Sequence, residues 1–527
     1  MKVLVSDKLS PKGVKVFEET EGIQVDVKTG MTPEELIACI PEYDALVVRS
    51  ATKVTPQVIE AAKNLKVIGR AGSGVDNIDL PAATKHGIVV MNTPGGNTIT
   101  TAEHAVSMLL ALCRHIPQAD ASMKQKKWEK KKFMGTEYFG KTLGVLGLGK
   151  IGTEVAKRAR GLMMKVIAYD PFISADAAQR LEVELVGMED LFRRADFITV
   201  HTPKSPETMN LINAKTIALM KDGVKIVNCA RGGIVNEQDL ADAVKKGKVS
   251  GAALDVFSQE PPAEDNPLLG LPQVIMTPHL GASTEEAQDK VAVDIAYQIV
   301  DMLKNSTVCN AVNAPCVAKE VLANIKPYIT LAERMGSIAC QIAEGRMNEF
   351  LVSYSGEVLN NDLAPITMAA IKGLLSPILH EEVNDVNAML VAKDRGIKVD
   401  EIKESVTGAY SSLVSITLVT DKGKASIAGT LFNRIEPRIV EMNGFDIEIV
   451  PAENMLVFSN IDKPGLIGSI GMTLGEYHVN IAGMQFGRAK PGGDAVSVLS
   501  VDSRVSEELL TVLGKLPNVV SVKSVRL

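Results

Sequence analysis

The sequence predicts an α/β protein: two doubly wound parallel-sheet domains, then two smaller modules that mix helices with antiparallel strands. Three observations carry this. Up to about residue 280, continuous apolar runs alternate with helical patterns, as parallel strands covered on both faces require. A G-x-G-x-x-G stretch lies inside that alternation. Beyond about residue 319 the strand-like segments alternate apolar and polar positions, the pattern of half-exposed antiparallel strands. The length of 527 residues suggests roughly three or four domains.

Composition excludes several classes. Hydrophobic residues are 46% and charged residues 23%, enough for packed cores and unlike a disordered chain. The net charge of −6 gives no basic surface for nucleic acid and serves solubility. The cysteines, Cys39, Cys113, Cys229, Cys309, Cys316 and Cys340, form no C-x-x-C pair. They are too sparse for a disulfide scaffold and fit a reducing compartment. "MKVLVSDKLS" reads as a strand and turn, not a signal peptide. The apolar run "AVSMLLALC" is too short to span a bilayer. The expectation is a soluble, cytosolic protein with no membrane, nucleic-acid or metal partner.

The elements follow in order. "VLVSD", "ALVVRS", "KVIGRAG" and "IVVMNTP" are the strands of a first unit. "NTPGGNTITTAEHAVSMLLALCRH" is a turn-rich loop entering a long helix, the join between units. "GVLGLG", "KVIAYD", "FITVHTP", "KIVNCARGG", "GAALDVF" and "VIMTPHLG" form the second series. A second long helix, "STEEAQDKVAVDIAYQIVDMLK", has Ser283 as its expected N-cap and Glu286 three residues on, a capping box. It is expected to return the chain to the first unit. Residues 1–98 and 286–318 then form one discontinuous domain around residues 99–285. Residues 319–450 hold "NEFLVSYSGEV" and "SLVSITLVTDKGKASIAGTL" as strands, and a helical pattern in "AAIKGLLSPILHEEVNDVNAMLVAKDRG". Residues 451–527 read strand, helix, strand, strand, helix, strand, the βαββαβ order of a ferredoxin-like module.

The glycine stretch is "GVLGLGKIG", with Gly147, Gly149 and Gly152 in the pattern. Alone it is a weak signal. Its context is stronger: a strand enters, a helix leaves, and the next strand ends at Asp170, 21 residues after Gly149. Gly147 allows the tight turn, Gly149 admits a pyrophosphate to the backbone, and Gly152 lets helix and strand pack closely. The helix N-terminus favours the anion. Asp170 can accept both ribose hydroxyls and would repel a 2′-phosphate. A Rossmann-like NAD site is expected.

Polar groups follow successive strands of that unit: Arg231 in "NCARGG", Glu260 in "LDVFSQEPP" and His279 in "MTPHLGAS"; Asp255 also ends a strand. Ligands of open α/β sheets bind beyond the carboxyl ends of the strands. Oxidation of a 2-hydroxy acid needs a base for the hydroxyl proton, a cation for the carboxylate and developing carbonyl, and a carboxylate that orients the base. His279, Arg231 and Glu260 fit those roles in that order. Singly, each has a structural explanation; together, after a dinucleotide fingerprint, they point to catalysis.

The order "GLGKIG", "NCARGGIVNEQDL", "ALDVFSQEPP", "TPHLGAS" resembles the D-isomer-specific 2-hydroxyacid dehydrogenases. "GRAGSGVDNIDLPAATKHGIVVMNTPGGN", "KWEKKKFMGTE" and the C-terminal modules resemble the long-form branch that acts on 3-phosphoglycerate. The resemblance spans the chain, dense through residue 315 and looser over 319–450. It implies NAD-dependent oxidation of 3-phosphoglycerate to 3-phosphohydroxypyruvate, the entry to L-serine biosynthesis. His279 would be the acid/base, Glu260 its partner and Arg231 the carboxylate anchor. Besides the glycines, NAD contacts are implied for Ser73, Lys150, Ile151, Asp170 and Thr202. Further contacts are implied for Cys229, Ala230, Asp255, Leu280, Gly281 and Ala282, with Asp255 at the nicotinamide carboxamide. Arg49, Gly74, Val75 and Asn97 would hold the substrate with Arg231 and His279.

The substrate phosphate calls for arginines. Arg49 and Arg70 are candidates, Arg70 being equally suited to a structural salt bridge. The run "MKQKKWEKKKFMG" holds Lys124, Lys126, Lys127, Lys130, Lys131 and Lys132. The resemblance places it at a subunit interface near the active site, with Trp128 as anchor. "NIDKPGLIG" and "EYHVNIAG" resemble the ACT-type amino-acid-binding module. That implies L-serine as effector, its ammonium on Asp462 and its carboxylate on Asn480, although Asn460 stands where some relatives have an aromatic residue. Lys422, Lys424, Arg434 and Arg438 are weaker candidates for an anionic effector. Pairing through the long-helix region and the last module implies a homotetramer. Rival functions are a glyoxylate or hydroxypyruvate reductase, which needs neither extra module, and an NAD-sensing corepressor, which needs no ACT-like module.

Overall fold

Four sheets organise the chain in the computed structural model, which describes all residues except 317–318, 380–382 and 405–408. The first sheet is wholly parallel, built from Lys2–Val5, Gln24–Val27, Ala45–Val48, Val67–Arg70 and Val89–Met91 in the order second, first, third, fourth, fifth. Its central strand Ala45–Val48 is buried at every position. Gln24–Val27 was not expected. An edge strand buries one flank only, so "QVDV", with no fully buried residue, carries no apolar run.

The second sheet has seven parallel strands. From one edge they run Val274–Met276, Val249–Leu254, Val224–Asn228, Phe197–Val200, Thr142–Leu146, Lys165–Tyr169 and Glu184–Leu185. The order reverses between Thr142–Leu146 and Phe197–Val200, which opens a crevice at their carboxyl ends. The edge strand Glu184–Leu185 is too short to leave a sequence signal.

Two long helices join the units. Thr98–Arg114 buries Ala102, Ala105, Met108 and Leu109 in the second unit's core. Glu285–Asn305 buries Val291, Ala292, Ile295, Ala296 and Ile299 against the first sheet. Its cap corrects the sequence expectation: Thr284, not Ser283, accepts from Ala287 N–H at 3.3 Å. Ser283 still belongs to the preceding turn, donating its N–H to Leu280 O at 2.8 Å. Glu286 is then one residue too early for a capping box.

The third sheet is mixed: Lys398–Glu404, Met347–Gly356, Ser412–Thr420, Gly423–Phe432, Glu436–Met442 and Phe445–Ile449, in that spatial order. The first pair is parallel and the rest antiparallel. Helices Lys319–Ile342 and Ala364–Leu375 cross at reciprocal glycines. A Cβ on Gly336 would stand 2.1 Å from Ala370 O, and one on Gly373 1.9 Å from Glu333 O. The helical pattern expected over 369–396 resolves into Ala364–Leu375 and Ala388–Asp394. Pro377 follows the first helix closely, and residues 380–382 of that stretch lie outside the described residues.

Asn454–Ile461, Ile481–Arg488, Asp494–Val501 and Val519–Arg526 form the fourth, antiparallel sheet in ferredoxin-like order. Period-two alternation splits its faces. Leu456, Phe458 and Leu499 face its own helices. Met455, Val457, Val496, Val498 and Val525 join the core of the third module. The two C-terminal modules therefore share one core. Gln341 also exchanges hydrogen bonds with the Arg526 backbone at 2.8 and 2.9 Å. The observed class is the expected one: two doubly wound parallel-sheet units, then α+β and ferredoxin-like modules. Among the described residues no helix is long and apolar enough to cross a membrane, and no group of three or more His, Cys, Asp or Glu is placed to hold a metal ion.

Candidate active site

The glycine turn sits at the strand-order reversal. Gly147 has φ 89°, and a Cβ on it would meet His201 O at 2.8 Å. A Cβ on Gly152 would lie 2.0 Å from Gly147 O, so helix Lys150–Gly161 needs that glycine to pack on its strand. Around Gly149 nothing lies within 4 Å of the added carbon. No side chain caps this helix, and among the described residues the neighbouring Thr202 Oγ1 is buried with no hydrogen-bond partner. Open space at the turn, uncapped N–H groups and an orphaned hydroxyl fit a dinucleotide phosphate. Asp170 accepts from Leu148 N at 2.8 Å and Phe172 N at 2.9 Å, which fixes its carboxylate beside the turn. Lys150 Nζ stands 3.5 Å from Pro94 O of the opposite wall. Ile151 opens the helix half-buried against the second unit's core.

Three strand ends bring the catalytic candidates into this crevice. His279 Nδ1 is 2.7 Å from Glu260 Oε2. The Glu260 bond holds the imidazole above its ordinary range, against burial, while Arg231 pulls it down. For Glu260, burial is the largest influence and acts upward. The bonds from His279 and from Phe257 N at 3.0 Å outweigh it and hold the carboxyl low.

Arg231 follows Val224–Asn228 and points at the opposite unit. Its Nη1 donates to Ala230 O at 2.8 Å and its Nε lies 3.2 Å from Asp76 Oδ2. A Cβ on Gly74 would stand 2.1 Å from Arg231 Nη2, so only glycine allows this approach. Ser73 Oγ donates to Asn97 Oδ1 at 2.6 Å, and Val75 packs partly into the first unit's core. Arg49 donates to Lys8 O at 3.0 Å, and Arg70 to Arg49 O at 3.3 Å. Among the described residues neither makes an ion pair, so the structural salt bridge offered for Arg70 does not form. Burial lowers the Arg70 pKa, and Arg231 and Arg49 add to the effect. Asp76 and Asp7 oppose that shift in part.

Other candidates face inward. Cys229 is buried, and desolvation pushes its thiol up, keeping it neutral. Asp255 is 0% exposed. Its oxygens accept from Thr277 Oγ1 at 2.5 Å, Leu280 N at 2.7 Å and Gly281 N at 2.8 Å. The carboxylate expected to face nicotinamide is thus engaged in holding the turn of Leu280, Gly281 and Ala282. Sequence reasoning missed Asp76, Thr101 and His104. Asp76 lies in the quoted "GVDNID" run, but no spacing links it to Arg231. Thr101 and His104 read as ordinary positions of a long helix.

Lys130 and Lys131 have no partner among the described residues, while Lys124 pairs with Asp120 and Lys132 with Glu129. Nearby Trp128 is 81% exposed. Of the effector candidates, Asp462 pairs with Arg488 at 2.7 Å and Asn480 donates to Asp502 at 2.6 Å. They do not meet within the chain. In the third module Arg434 lies 3.5 Å from Glu357, Arg438 pairs with Glu436, and Lys422 and Lys424 sit at the exposed Ser412–Thr420 to Gly423–Phe432 turn.

Comparison with known proteins agrees with this geometry. The model of the D-isomer specific 2-hydroxyacid dehydrogenase NAD binding domain matches residues 106–281. That of the D-3-phosphoglycerate dehydrogenase intervening domain matches 324–443, and that of the ACT domain 454–518. D-3-phosphoglycerate dehydrogenase of Synechocystis sp. is 48% identical over 100% of this chain and 95% of its own length. The Archaeoglobus fulgidus enzyme of that name is 47% identical over 100% of both. The solved apo-structure of Escherichia coli D-lactate dehydrogenase is 28% identical, with TM-score 0.53, over 59% of this chain and 100% of that one. A glycine turn with room for NAD, the paired His279 and Glu260, and identity along the whole length lead to one conclusion: the chain belongs to the D-3-phosphoglycerate dehydrogenase family of NAD-dependent D-isomer-specific 2-hydroxyacid dehydrogenases.

Proposed function

We propose that the protein oxidises D-3-phosphoglycerate to 3-phosphohydroxypyruvate with NAD, the first step of L-serine biosynthesis. The carrying observation is the His279–Glu260 pair at 2.7 Å in a crevice that also holds Arg231. An ionised carboxylate only accepts, so Glu260 fixes the proton on Nδ1 and leaves Nε2 free as base. His279 takes the C2 hydroxyl proton, and Glu260 stabilises the imidazolium that results. Arg231 holds the substrate carboxylate and polarises the developing carbonyl. Bound NAD supplies the hydride acceptor; Gly147, Gly149, Gly152, Lys150 and Thr202 hold its phosphates and Asp170 its adenosine ribose. Arg49 and Arg70 take the substrate phosphate, and Ser73, Gly74, Val75 and Asn97 shape its pocket.

The same reading assigns 1–98 with 286–318 to substrate, 99–285 to NAD, 319–450 to an intervening domain and 451–527 to regulation. The exposed lysines and Trp128 meet a second subunit of a homotetramer in the cytosol, and L-serine is the effector. The test is NADH formation from D-3-phosphoglycerate with the keto product trapped, against D-glycerate, and NADH consumption with glyoxylate. Strong preference for the phosphorylated substrate supports the reading. Equal or better turnover of glyoxylate would move it to the reductases, and no turnover of any substrate to a binding role.

A further inference from the structure

The turn that carries His279 is unusual in its backbone. His279 has φ 55°, in the left-handed region that favours glycine. Such a conformation persists only where the surroundings over-determine it. Here the determinant is Asp255. Its backbone oxygen accepts from His279 N at 3.0 Å, and its carboxylate accepts from the next two N–H groups, Leu280 at 2.7 Å and Gly281 at 2.8 Å. A buried carboxylate needs its lone pairs filled by donors. Thr277 Oγ1 supplies one at 2.5 Å. The other is His104, whose Nε2 is 3.2 Å from both Asp255 Oδ1 and Thr277 Oγ1.

His104 belongs to helix Thr98–Arg114, which leads from the substrate-side loop into the second unit. One turn earlier, Thr101 Oγ1 donates to Gly281 O at 2.8 Å. At its N-terminal end, Asn97 accepts from Ser73 of the first unit. One helix thus grips the His279 turn at two points and touches the opposite wall of the crevice at a third. Asp255 is held ionised and can only accept, so the proton of His104 stands on Nε2. The charged groups facing His279 are Glu260, Asp255 and Arg231, and His104 reaches it through Asp255 and through Thr277, whose backbone oxygen also accepts from His279 N at 3.0 Å.

We propose that His104 is a positioning residue for the catalytic base: its Nε2–H clamps Asp255 and Thr277, and so fixes the left-handed turn that aims His279 at Glu260 and the substrate. The assignment rests on His279 being the base. The substitutions are His104→Ala, which removes the donor, and His104→Gln, whose amide places an N–H near the position of Nε2. H104A is expected to lower kcat roughly 10- to 100-fold, the range for a mispositioned general base, with KM for 3-phosphoglycerate within about threefold of wild type.

A second readout needs no cofactor. Proton–carbon NMR titration of the free protein follows the His279 ring, which in H104A returns toward the ordinary histidine range as its bond to Glu260 loosens. H104Q is expected to recover both readouts. The proposal is overturned if H104A keeps wild-type kcat and wild-type His279 titration, or if H104Q is as impaired as H104A in both. H279N is the control. Its loss of activity upholds His279 as base whatever the His104 variants do. Retained activity in H279N overturns the base assignment itself. Should H104A melt early, the H104Q comparison decides.

Discussion

Arg231 reaches across the crevice to Asp76, its Nε 3.2 Å from Oδ2, so the candidate carboxylate anchor of one unit is paired with a carboxylate of the other. Ala230 O takes Nη1, and Gly74 lies under Nη2. Asp76 is 64% exposed in its side chain. A pair so open contributes at most about 1 kcal/mol. Asp76→Asn should therefore move the melting temperature little and kcat/KM by less than about fivefold. Arg231→Lys loses the planar fork that a carboxylate requires. It should lower kcat/KM about 10- to 100-fold, the value of one or two hydrogen bonds to a charge. Steady-state kinetics on both variants check this; near-wild-type R231K kinetics would remove Arg231 as the anchor.

The His279–Glu260 pair has a signed pH consequence. Glu260 raises the His279 pKa; with neutral His279 as the proposed base, oxidation should increase as pH rises through that raised value. Glu260→Gln removes the charge, shifts the acid limb of kcat/KM to lower pH, and lowers the plateau about 10- to 100-fold. Stability follows the same linkage. The His279 contribution is present below the unfolded pKa of about 6.5 and is lost as pH rises through the raised folded value. The Glu260 contribution is present above the unfolded value of about 4.3 and is lost as pH falls through the lower folded value. Both are present together between about pH 4.5 and 6.5. Melting curves of wild type and E260Q should differ most there. A difference that is flat with pH would mean the pair is not ionic.

The legible parts were those written in local pattern. "VLVSD" and "ALVVRS" announced strands because a central parallel strand buries both faces. Gly147, Gly149, Gly152 and Asp170 were found because one turn imposes fixed spacings. Gln24–Val27 and Glu184–Leu185 were not, since short edge strands need no apolar run. Asp76 and His104 were invisible for another reason: each acts on a residue more than a hundred positions away. Asp255 was placed at the right strand end, but burial turned its carboxylate inward to the Leu280–Gly281 turn.

Two glycines of one motif should behave oppositely. Gly152→Ala drives a methyl to 2.0 Å from Gly147 O, a backbone atom that cannot yield. The helix must shift off its strand, at a cost of about 1–3 kcal/mol for overpacking, and the melting temperature falls. Gly149→Ala meets nothing within 4 Å, and its φ of −69° suits any residue. On the proposed placement its methyl fills the space for the pyrophosphate, so KM for NAD should rise at least tenfold while melting stays unchanged. Thermal melting without cofactor and NAD titration separate the two. A stable G152A, or unimpaired NAD binding in G149A, contradicts the placement.

Serine inhibition, if the last module provides it, must come from two copies of the chain. Asp462 follows Ile461, which pairs with Asp494; Asn480 precedes Ile481, which pairs with Val501. Asp494 and Val501 are the two ends of one strand, roughly 24 Å apart at about 3.4 Å per residue. No single amino acid spans that, so a serine held by both side chains takes Asp462 from one copy and Asn480 from another. Asp462 is also tied to Arg488 at 2.7 Å, a partner it would have to exchange for a ligand ammonium. Asp462→Ala and Asn480→Ala should each abolish inhibition by millimolar L-serine while leaving turnover intact. Subunits of the two variants, dissociated and reassembled together, form one intact site in each mixed pair. Inhibition should then return in part, up to half the wild-type sites in a mixed pair. A reassembled mixture that stays insensitive would place the two residues outside any shared site.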